Sequence, residues 1–363
     1  MDLDRKKVVV AMSGGVDSSV AALLMKQAGY DVIGLMLKLS DTPVSETSRS
    51  ASCCSIEDAT DARRVADQLQ IPFYLINSKK RFQEEVIDKF VQEYLEGRTP
   101  NPCAMCNDKV KFDYLFTKAF ELGAYYVATG HYCRKSWDEA AKQWSLHKGK
   151  DPQKDQSYFL FSLGQTQLEH SLFPIGEMNK EEVRRLASEA GLKTSQKAES
   201  QEICFVADND HAGFIDRYRP KNIPRPGEFV SEKGEVLGSH EGIHHYTVGQ
   251  RRGTQVAQGS RVYVQSIDPE SNRVTLAPNT SLFQSGLLAQ RVRWVHPVSD
   301  GLEVTARIRH RHAGSAARVF LEAGDRVRVE FAEPERAIAP GQAVVFYSGE
   351  ELLGGAWIEK GLP

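Results

Sequence analysis

Between Lys7 and Cys133, compact apolar runs alternate with longer stretches in which apolar residues return at helical spacing. The runs predict strands at Lys7–Met12, Val32–Leu37, Phe73–Asn77 and Tyr126–Gly130. The amphipathic stretches predict helices at Ser18–Ala28, Ile56–Leu69, Phe82–Glu96 and Lys111–Leu122. Strands regularly separated by helices form a parallel sheet with helices on both faces, so the first part of the chain reads as α/β. Asp41–Ser55, rich in Ser and Thr, has no apolar period and is expected to be a mobile loop.

The pattern changes near Asp210. Pro220, Pro224, Pro226 and Gly227 punctuate the chain, and short alternating runs such as Gly259–Ser266 follow, as in a small linking domain. From Leu287 the runs Arg291–Val295, Leu302–Arg309, Arg318–Leu321, Arg326–Phe331 and Ala343–Ser348 alternate apolar and polar residues between Gly and Pro turns. A small closed β-barrel accounts for them, since closure removes exposed strand edges. The expected division is therefore 1–209, 210–286 and 287–363.

Composition adds limits. The 363 residues are 41% hydrophobic and 26% charged, too many for one typical domain and ordinary for a globular chain. No window is apolar for the roughly 18–20 residues a membrane span needs, and Lys6-Lys7 leads straight into the first strand, so a cytoplasmic protein without membrane contact is expected, and it is taken to be a monomer. A net charge of -2 argues against indiscriminate nucleic-acid coating; any RNA contact must come from local basic patches.

The first strand runs directly into Ser13-Gly14-Gly15-Val16-Asp17-Ser18-Ser19 and then a helix. Glycines that turn backbone amides toward a ligand, serine hydroxyls and a helix N-terminus together make an anion site. A helix cap with glycines for tight packing is the plainer reading. The string lacks the Gly-Lys-Ser/Thr ending of the common nucleotide loop. It resembles the pyrophosphate loop of the ATP-pyrophosphatase superfamily, which would make Asp17 a magnesium-holding residue. Leu37 and Gly130 end strands at the ligand-binding edge of such sheets, with His131 just beyond.

Six cysteines, at 53, 54, 103, 106, 133 and 204, are too sparse for a secreted disulfide scaffold. Pro100-Asn101-Pro102-Cys103-Ala104-Met105-Cys106 places two thiols three residues apart ahead of the helix expected at Lys111, and Cys204 follows acidic and amide residues. A thiol near a helix start is a good nucleophile or ligand. Sulfur chemistry, a structural zinc completed by Cys133 or His131, and burial as small apolar residues all remain open. Cys53 and Cys54 are read as bystanders.

Together these strings resemble the tRNA 2-thiouridylase family over essentially the whole chain. The resemblance rests on the loop at 13–19, Thr99-Pro100-Asn101-Pro102 with Cys106-Asn107, Ala128-Thr129-Gly130-His131-Tyr132, Lys154-Asp155-Gln156-Ser157-Tyr158 and Gln201-Glu202-Ile203-Cys204-Phe205. Weaker signatures, Val248-Gly249-Gln250-Arg251, Ile308-Arg309 and Pro340-Gly341-Gln342, come in the expected order. It implies a Rossmann-like domain of the pyrophosphate-loop type, a linking domain and a C-terminal β-barrel. It also implies ATP and Mg2+, with Ala11, Met12, Ser13, Gly14, Gly15, Val16, Asp17, Ser18, Leu37 and Gly130 around the nucleotide. The implied reaction adenylates the C2 oxygen of the wobble uridine in the tRNAs for Lys, Glu and Gln, after which sulfur displaces AMP.

Two sulfur routes follow from the resemblance. In one, Cys204 carries a persulfide sulfur from a relay protein fed by a cysteine desulfurase, and Cys106 leaves as a Cys106–Cys204 disulfide. One branch of the family has aspartate where this chain has Cys103. In the other route Cys103, Cys106 and Cys204 hold a 4Fe–4S cluster whose open iron takes sulfide, and this is the preferred expectation here. The family comparison puts Asn101, Pro102, Cys103, His131, Lys154, Asp155 and Gln156 near the target base, and Arg309, His310 and Gln342 on the RNA. The run Arg307–His312, with Arg291 and Arg293 on an earlier strand, would supply the basic patch, the alternative being a solvated strand edge. A small-molecule synthetase or amidotransferase of the same superfamily would leave the three cysteines unexplained. A non-catalytic, metal-dependent RNA-binding protein would not need the loop.

Overall fold

A computed structural model describes residues 4–39, 56–198, 203–206, 210–221, 223–254, 256 and 261–363. The expected loop Asp41–Ser55, with Cys53 and Cys54, lies outside them, as do Gln201, Glu202 and residues 259–260 of the expected run Gly259–Ser266. The chain divides into two units: Met1–Val86, Cys103–Asn209 and Glu350–Leu353 form one, and Ile87–Pro102, Asp210–Gly349 and Gly354–Pro363 the other. No helix among the described residues is long and apolar enough to cross a membrane.

In chain order the first elements are β1 (Asp4–Ala11), α1 (Val16–Gln27), β2 (Asp31–Lys38), α2 (Ile56–Gln68), β3 (Phe73–Asn77) and α3 (Lys79–Phe82). Next come α4 (Asp88–Leu95), α5 (Pro102–Cys106), α6 (Asp113–Glu121), β4 (Ala124–Thr129), β5 (Cys133–Asp138) and β6 (Gln143–Lys148). The first unit then adds α7 (Gln165–His170), β7 (Ser171–Leu172) and α8 (Lys180–Glu189). Its sheet is parallel throughout, in the order β3-β2-β1-β4-β7. Val8, Val9 and Val10 of β1 are fully buried at its centre, which is why they read as an unbroken apolar run. The direction of strand addition reverses at β1, and in such sheets the crevice beyond the strand ends at the reversal binds ligands.

The expected strands appear within a few residues of their predicted bounds, but two helices need correction. The helix expected at Lys111–Leu122 begins nine positions earlier: α5 starts at Pro102, a π-helical turn covers Asn107–Phe112, and α6 follows. Proline is well suited to a first helical position, where its missing N–H has no partner to lose. Cys103 and Cys106 are therefore inside the helix and not in front of it. The helix expected at Phe82–Glu96 begins at Lys79 and changes to π geometry over Gln83–Ile87 before α4.

The β5–β6 hairpin went unrecognised in the sequence. Its turn, Glu139-Ala140-Ala141-Lys142, has helix-favouring composition, yet Asp138 Oδ1 accepts from the amides of Ala140 (2.8 Å) and Ala141 (3.0 Å) and folds the chain back. Glu351 and Leu352 pair with His147 and Leu146 on its open edge.

The second unit holds α4, α9 (His211–Tyr218) and the strands β8 (Gly227–Ser231), β9 (Val236–His240), β10 (Tyr263–Asp268) and β11 (Arg273–Ala277), in the order β10-β11-β8-β9. Phe229, Val264, Val274 and Leu276 form the core of that sheet. Then come β12 (Phe283–Trp294), β13 (Leu302–Arg307), β14 (Ser315–Leu321), β15 (Val327–Arg336), β16 (Ala343–Ser348) and β17 (Glu351–Leu362). They close into the expected barrel through β12–β17 pairing, from Gly286↔Leu362 to Trp294↔Gly354. The run expected at Arg291–Val295 is only the end of β12. Register shifts between Gln284 and Gly286 and between Leu288 and Ala289 break the alternation in its first half, and a further one between Gln290 and Arg293 has Arg291 at φ 55°.

Gly14 gives the first test of this arrangement. It has φ +73°, and a β-carbon there would lie 2.3 Å from the carbonyl oxygen of Asp58 at the start of α2. Gly14→Ala should destabilise the protein by about 2 kcal/mol or more and lower its Tm, measured by thermal and urea unfolding. An unchanged urea midpoint would show that the loop and α2 do not meet.

Candidate functional site

The loop after β1 is held by its own hydroxyls. Ser13 donates its amide to Ser18 Oγ at 3.1 Å, Ser18 Oγ donates to the carbonyl of Gly15 at 3.1 Å, and Ser19 Oγ to the same carbonyl at 2.8 Å. Gly15 is the N-cap of α1 and carries no side chain to cap it. The amides of the first turn thus lack the side-chain acceptor a Ser or Asp would supply, and an anion can take that place. Gly130, just past β4, closes the other side: a β-carbon on it would lie 2.7 Å from the backbone of Asp17 and Ser18. Met12, Val16, Ser18 and Leu37 are buried around this turn, and the sulfur of Met12 rests where a side chain on Gly34 would have to go.

Asp17 points into a cluster with Lys180 and Tyr132, which lie far from it in sequence. Lys180 Nζ donates to both its oxygens, at 2.8 and 2.9 Å, and the hydroxyl of Tyr132 donates to Oδ1 at 2.9 Å. Lys180 occupies the first position of α8, whose N-cap Asn179 and Glu182 form a reciprocal capping box. A cation there faces the positive end of the helix dipole and is unfavourable alone. The string Asn179-Lys180-Glu181-Glu182 carried this signal: a lysine at a capped helix start needs an anion nearby.

The thiols differ in exposure. Cys103 is exposed and Cys106 buried, three positions apart on α5 and so on neighbouring parts of one helix face; Cys204 is half-buried. Phe205, next to Cys204, packs its ring edge-on against Phe82 at 5.7 Å. Cys133 is fully buried, and burial together with the nearby Asp155 raises its thiol well above the usual range. Burial thus favours its protonated form. Among the described residues no set of three ligand atoms within 4.8 Å of one another includes a cysteine. A cluster, whose thiolates sit on different irons, needs no such convergence.

Around the strand ends, Asp155 is buried and its Oδ1 accepts from the amides of Gly149 (3.2 Å) and Ser157 (3.0 Å). Gln156 exchanges two hydrogen bonds with the backbone of Tyr132, both at 3.0 Å. Lys154 between these turns is half-buried. His131 shares a 2.9 Å hydrogen bond between Nδ1 and Thr129 Oγ1, and desolvation, reinforced by the charge of Lys111, pushes its pKa down to about 3. The ring is neutral at physiological pH.

In the second unit Asn101 and Pro102 are buried, and Gln342 donates its side-chain amide to the carbonyls of Thr99 and Pro100, each at 3.1 Å. Gln342 braces the segment leading to Pro102. In the basic run, Arg307 is turned inward, donating to the carbonyls of His310 and His312, and His312 lies 3.3 Å from Glu335. Arg309 and Arg311 are exposed and His310 half-buried.

Family models match the chain in three blocks: a tRNA methyl transferase HUP domain over residues 6–208, a tRNA methyl transferase PRC-barrel domain over 212–278, and an aminomethyltransferase beta-barrel domain over 284–358. Among curated relatives, the tRNA-specific 2-thiouridylase MnmA of Geotalea uraniireducens strain Rf4 is 50% identical over 359 residues, covering 98% of this chain and 95% of the relative. The enzyme of the same name from Geobacter metallireducens is 49% identical, covering 99% and 98%. That from Clostridium acetobutylicum is 46% identical, covering 98% and 99%.

The depressed pKa of His131 makes a prediction with a definite sign. Unfolded histidine titrates near 6.5 and folded His131 near 3, so between these values the unfolded chain binds the extra proton. The stabilisation is complete above about pH 6.5 and is lost as pH falls toward 3. His131→Gln should make stability fall less steeply over that window, and the His131 ring resonances should not titrate between about pH 5 and 8. A ring titrating near 6.5 would contradict its enclosure.

Proposed function

Because the chain belongs to the tRNA-specific 2-thiouridylase family, we propose that it uses ATP to activate the C2 oxygen of the wobble uridine in the tRNAs for Lys, Glu and Gln and replaces that oxygen with sulfur. The near-complete alignment with 2-thiouridylases at up to 50% identity carries this reading. The family models speak of methyl transfer in their descriptions, but a phosphate loop and three thiols in one unit suit adenylation and sulfur transfer. A carbonyl oxygen is a poor leaving group, and AMP attached to it is a good one.

In this reading residues 1–209 are the catalytic domain, 210–286 the linking domain and 287–363 the barrel that touches tRNA. Ala11 to Ser18, with Leu37 and Gly130, surround the nucleotide, and the uncapped amides of α1 receive the pyrophosphate. Asp17 is assigned to magnesium. Both its oxygens carry hydrogen bonds from Lys180, so the metal would have to displace that ammonium from at least one of them, leaving it to face the phosphate charge. Asn101, Pro102, Cys103, His131, Lys154 and Gln156 are assigned to the target nucleotide, Asp155 to shaping the turn beside it, and exposed Arg309, with His310, to RNA in the barrel. Gln342 would act by bracing Thr99 and Pro100.

Cys103, Cys106 and Cys204 are the soft donors we assign to a 4Fe–4S cluster, which when bound would offer an open iron to sulfide. Cys106 and Cys204 are the residues without which neither sulfur route works. A relay protein fed by a cysteine desulfurase would be the partner in the persulfide route. A monomer acting in the cytoplasm completes the reading.

Unmodified tRNA, ATP and a sulfur donor provide the test. Cleavage of ATP to AMP and pyrophosphate should require tRNA and vanish in Asp17→Ala with tRNA affinity little changed; pyrophosphate release at the normal rate would remove the loop from the mechanism. Cys103→Ser should lose iron and thiolation together while adenylation survives, since a hydroxyl is a poor ligand for iron. Anaerobically purified protein that contains no iron, yet thiolates tRNA at full rate from a persulfide, would reject the cluster in favour of Cys204 persulfide and a Cys106–Cys204 disulfide.

A further inference from the structure

A second group of ligand-type side chains lies in the second unit, apart from the loop and the thiols of the first. Asp216, on α9, and the adjacent His244 and His245, in the 3-10 turn Ile243–His245, bring one oxygen and two ring nitrogens within 4.8 Å of one another. His244 Nε2 is 2.9 Å from Asp216 Oδ1, and His245 Nε2 is 4.0 Å from Asp216 Oδ2. His244 is fully buried, while Asp216 and His245 are reachable from solvent.

The turn is built for this convergence. Gly242 precedes it, and a β-carbon there would lie 2.5 Å from the His244 ring, so the chain needs glycine to set that ring against α9. The rings of His244 and His245 pack at 4.4 Å between centroids. Burial, and after it the neighbouring His245, depress the pKa of His244 against the opposing hydrogen bond to Asp216, and the net shift favours a neutral ring. A metal ion uses the deprotonated ring nitrogens and the carboxylate oxygen that such a cluster brings together.

From this geometry we infer that Asp216, His244 and His245 form a site for a borderline divalent cation of the zinc class. Two imidazoles and one carboxylate are a recurrent ligand set for zinc, with water in the fourth position. Tetrahedral bonds of about 2.0–2.1 Å put ligand atoms roughly 3.3 Å apart. The separations of 2.9 and 4.0 Å, to the two oxygens of the one carboxylate, fall on either side of that spacing, and the three ligand atoms lie within 4.8 Å of one another. The ion would replace the proton between His244 and Asp216 and cross-link α9 to the turn that precedes β10. No cysteine takes part, which separates this site from any cluster in the first unit.

The test uses the full chain, stripped with a chelator and titrated with Co2+ alone. Calorimetry would count the ions, and the cobalt spectrum would separate nitrogen and oxygen ligation from thiolate charge-transfer bands. One equivalent of sulfur-free Co2+ is expected, lost in His245→Ala and in Asp216→Asn. Both substitutions sit at part-exposed positions, and circular dichroism of the metal-free proteins would verify their folding. Wild-type protein that binds no sulfur-free equivalent overturns the inference, as does a sulfur-free equivalent that persists in either folded variant. If Asp216→Asn misfolds, His245→Ala alone decides by the same criterion.

Discussion

Two backbone approaches too close for a β-carbon govern the first unit. Gly14 touches the carbonyl of Asp58, and Gly130 touches the chain at Asp17 and Ser18. Between them the turn after β1 is fixed against α2 on one side and the end of β4 on the other. Its hydroxyls are spent within the turn, on Ser18 Oγ and the carbonyl of Gly15, and the amides of α1 are left without a side-chain cap. Amides so placed suit an anion, and a turn already fixed on both sides needs little further ordering to receive one.

Charge at this turn is arranged on the same principle. Asp17 and Lys180 come from distant parts of the chain, and each would be unfavourable alone: one as a half-buried carboxylate, the other as a cation at a helix start. Together with the Tyr132 hydroxyl they form one hydrogen-bonded set. Salt bridges elsewhere on the surface, such as Arg185–Glu189, have no comparable constraint and contribute little to stability.

The thiols depend on the helix that bears them. Because α5 starts at Pro102, Cys103 and Cys106 take fixed places on one helical turn, one facing solvent and one the interior. The segment before them accepts two hydrogen bonds from Gln342, a residue more than two hundred positions away, at the carbonyls of Thr99 and Pro100. Asp155 has a similar indirect part, organising the turn at 149–157 from a buried position.

The parallel sheet, the phosphate loop and the barrel's existence were written in local pattern: buried strands make apolar runs, the glycine pair marks a strand-to-helix turn, and alternating runs mark the barrel strands. The bounds of α5, the β5–β6 hairpin and the first half of β12 were not, because a proline that starts a helix, an Asp-stabilised turn of helix-forming residues and a bulge each give a misleading local signal. The partners of Asp17, the inward turn of Arg307, the burial of Cys133 and the meeting of Asp216 with His244 and His245 lie beyond any local reading. Such contacts depend on which surfaces the packed core brings together, and residue type alone leaves that undetermined. The sequence thus determined which chemistry was available, and tertiary packing decided which side chains were free to carry it out.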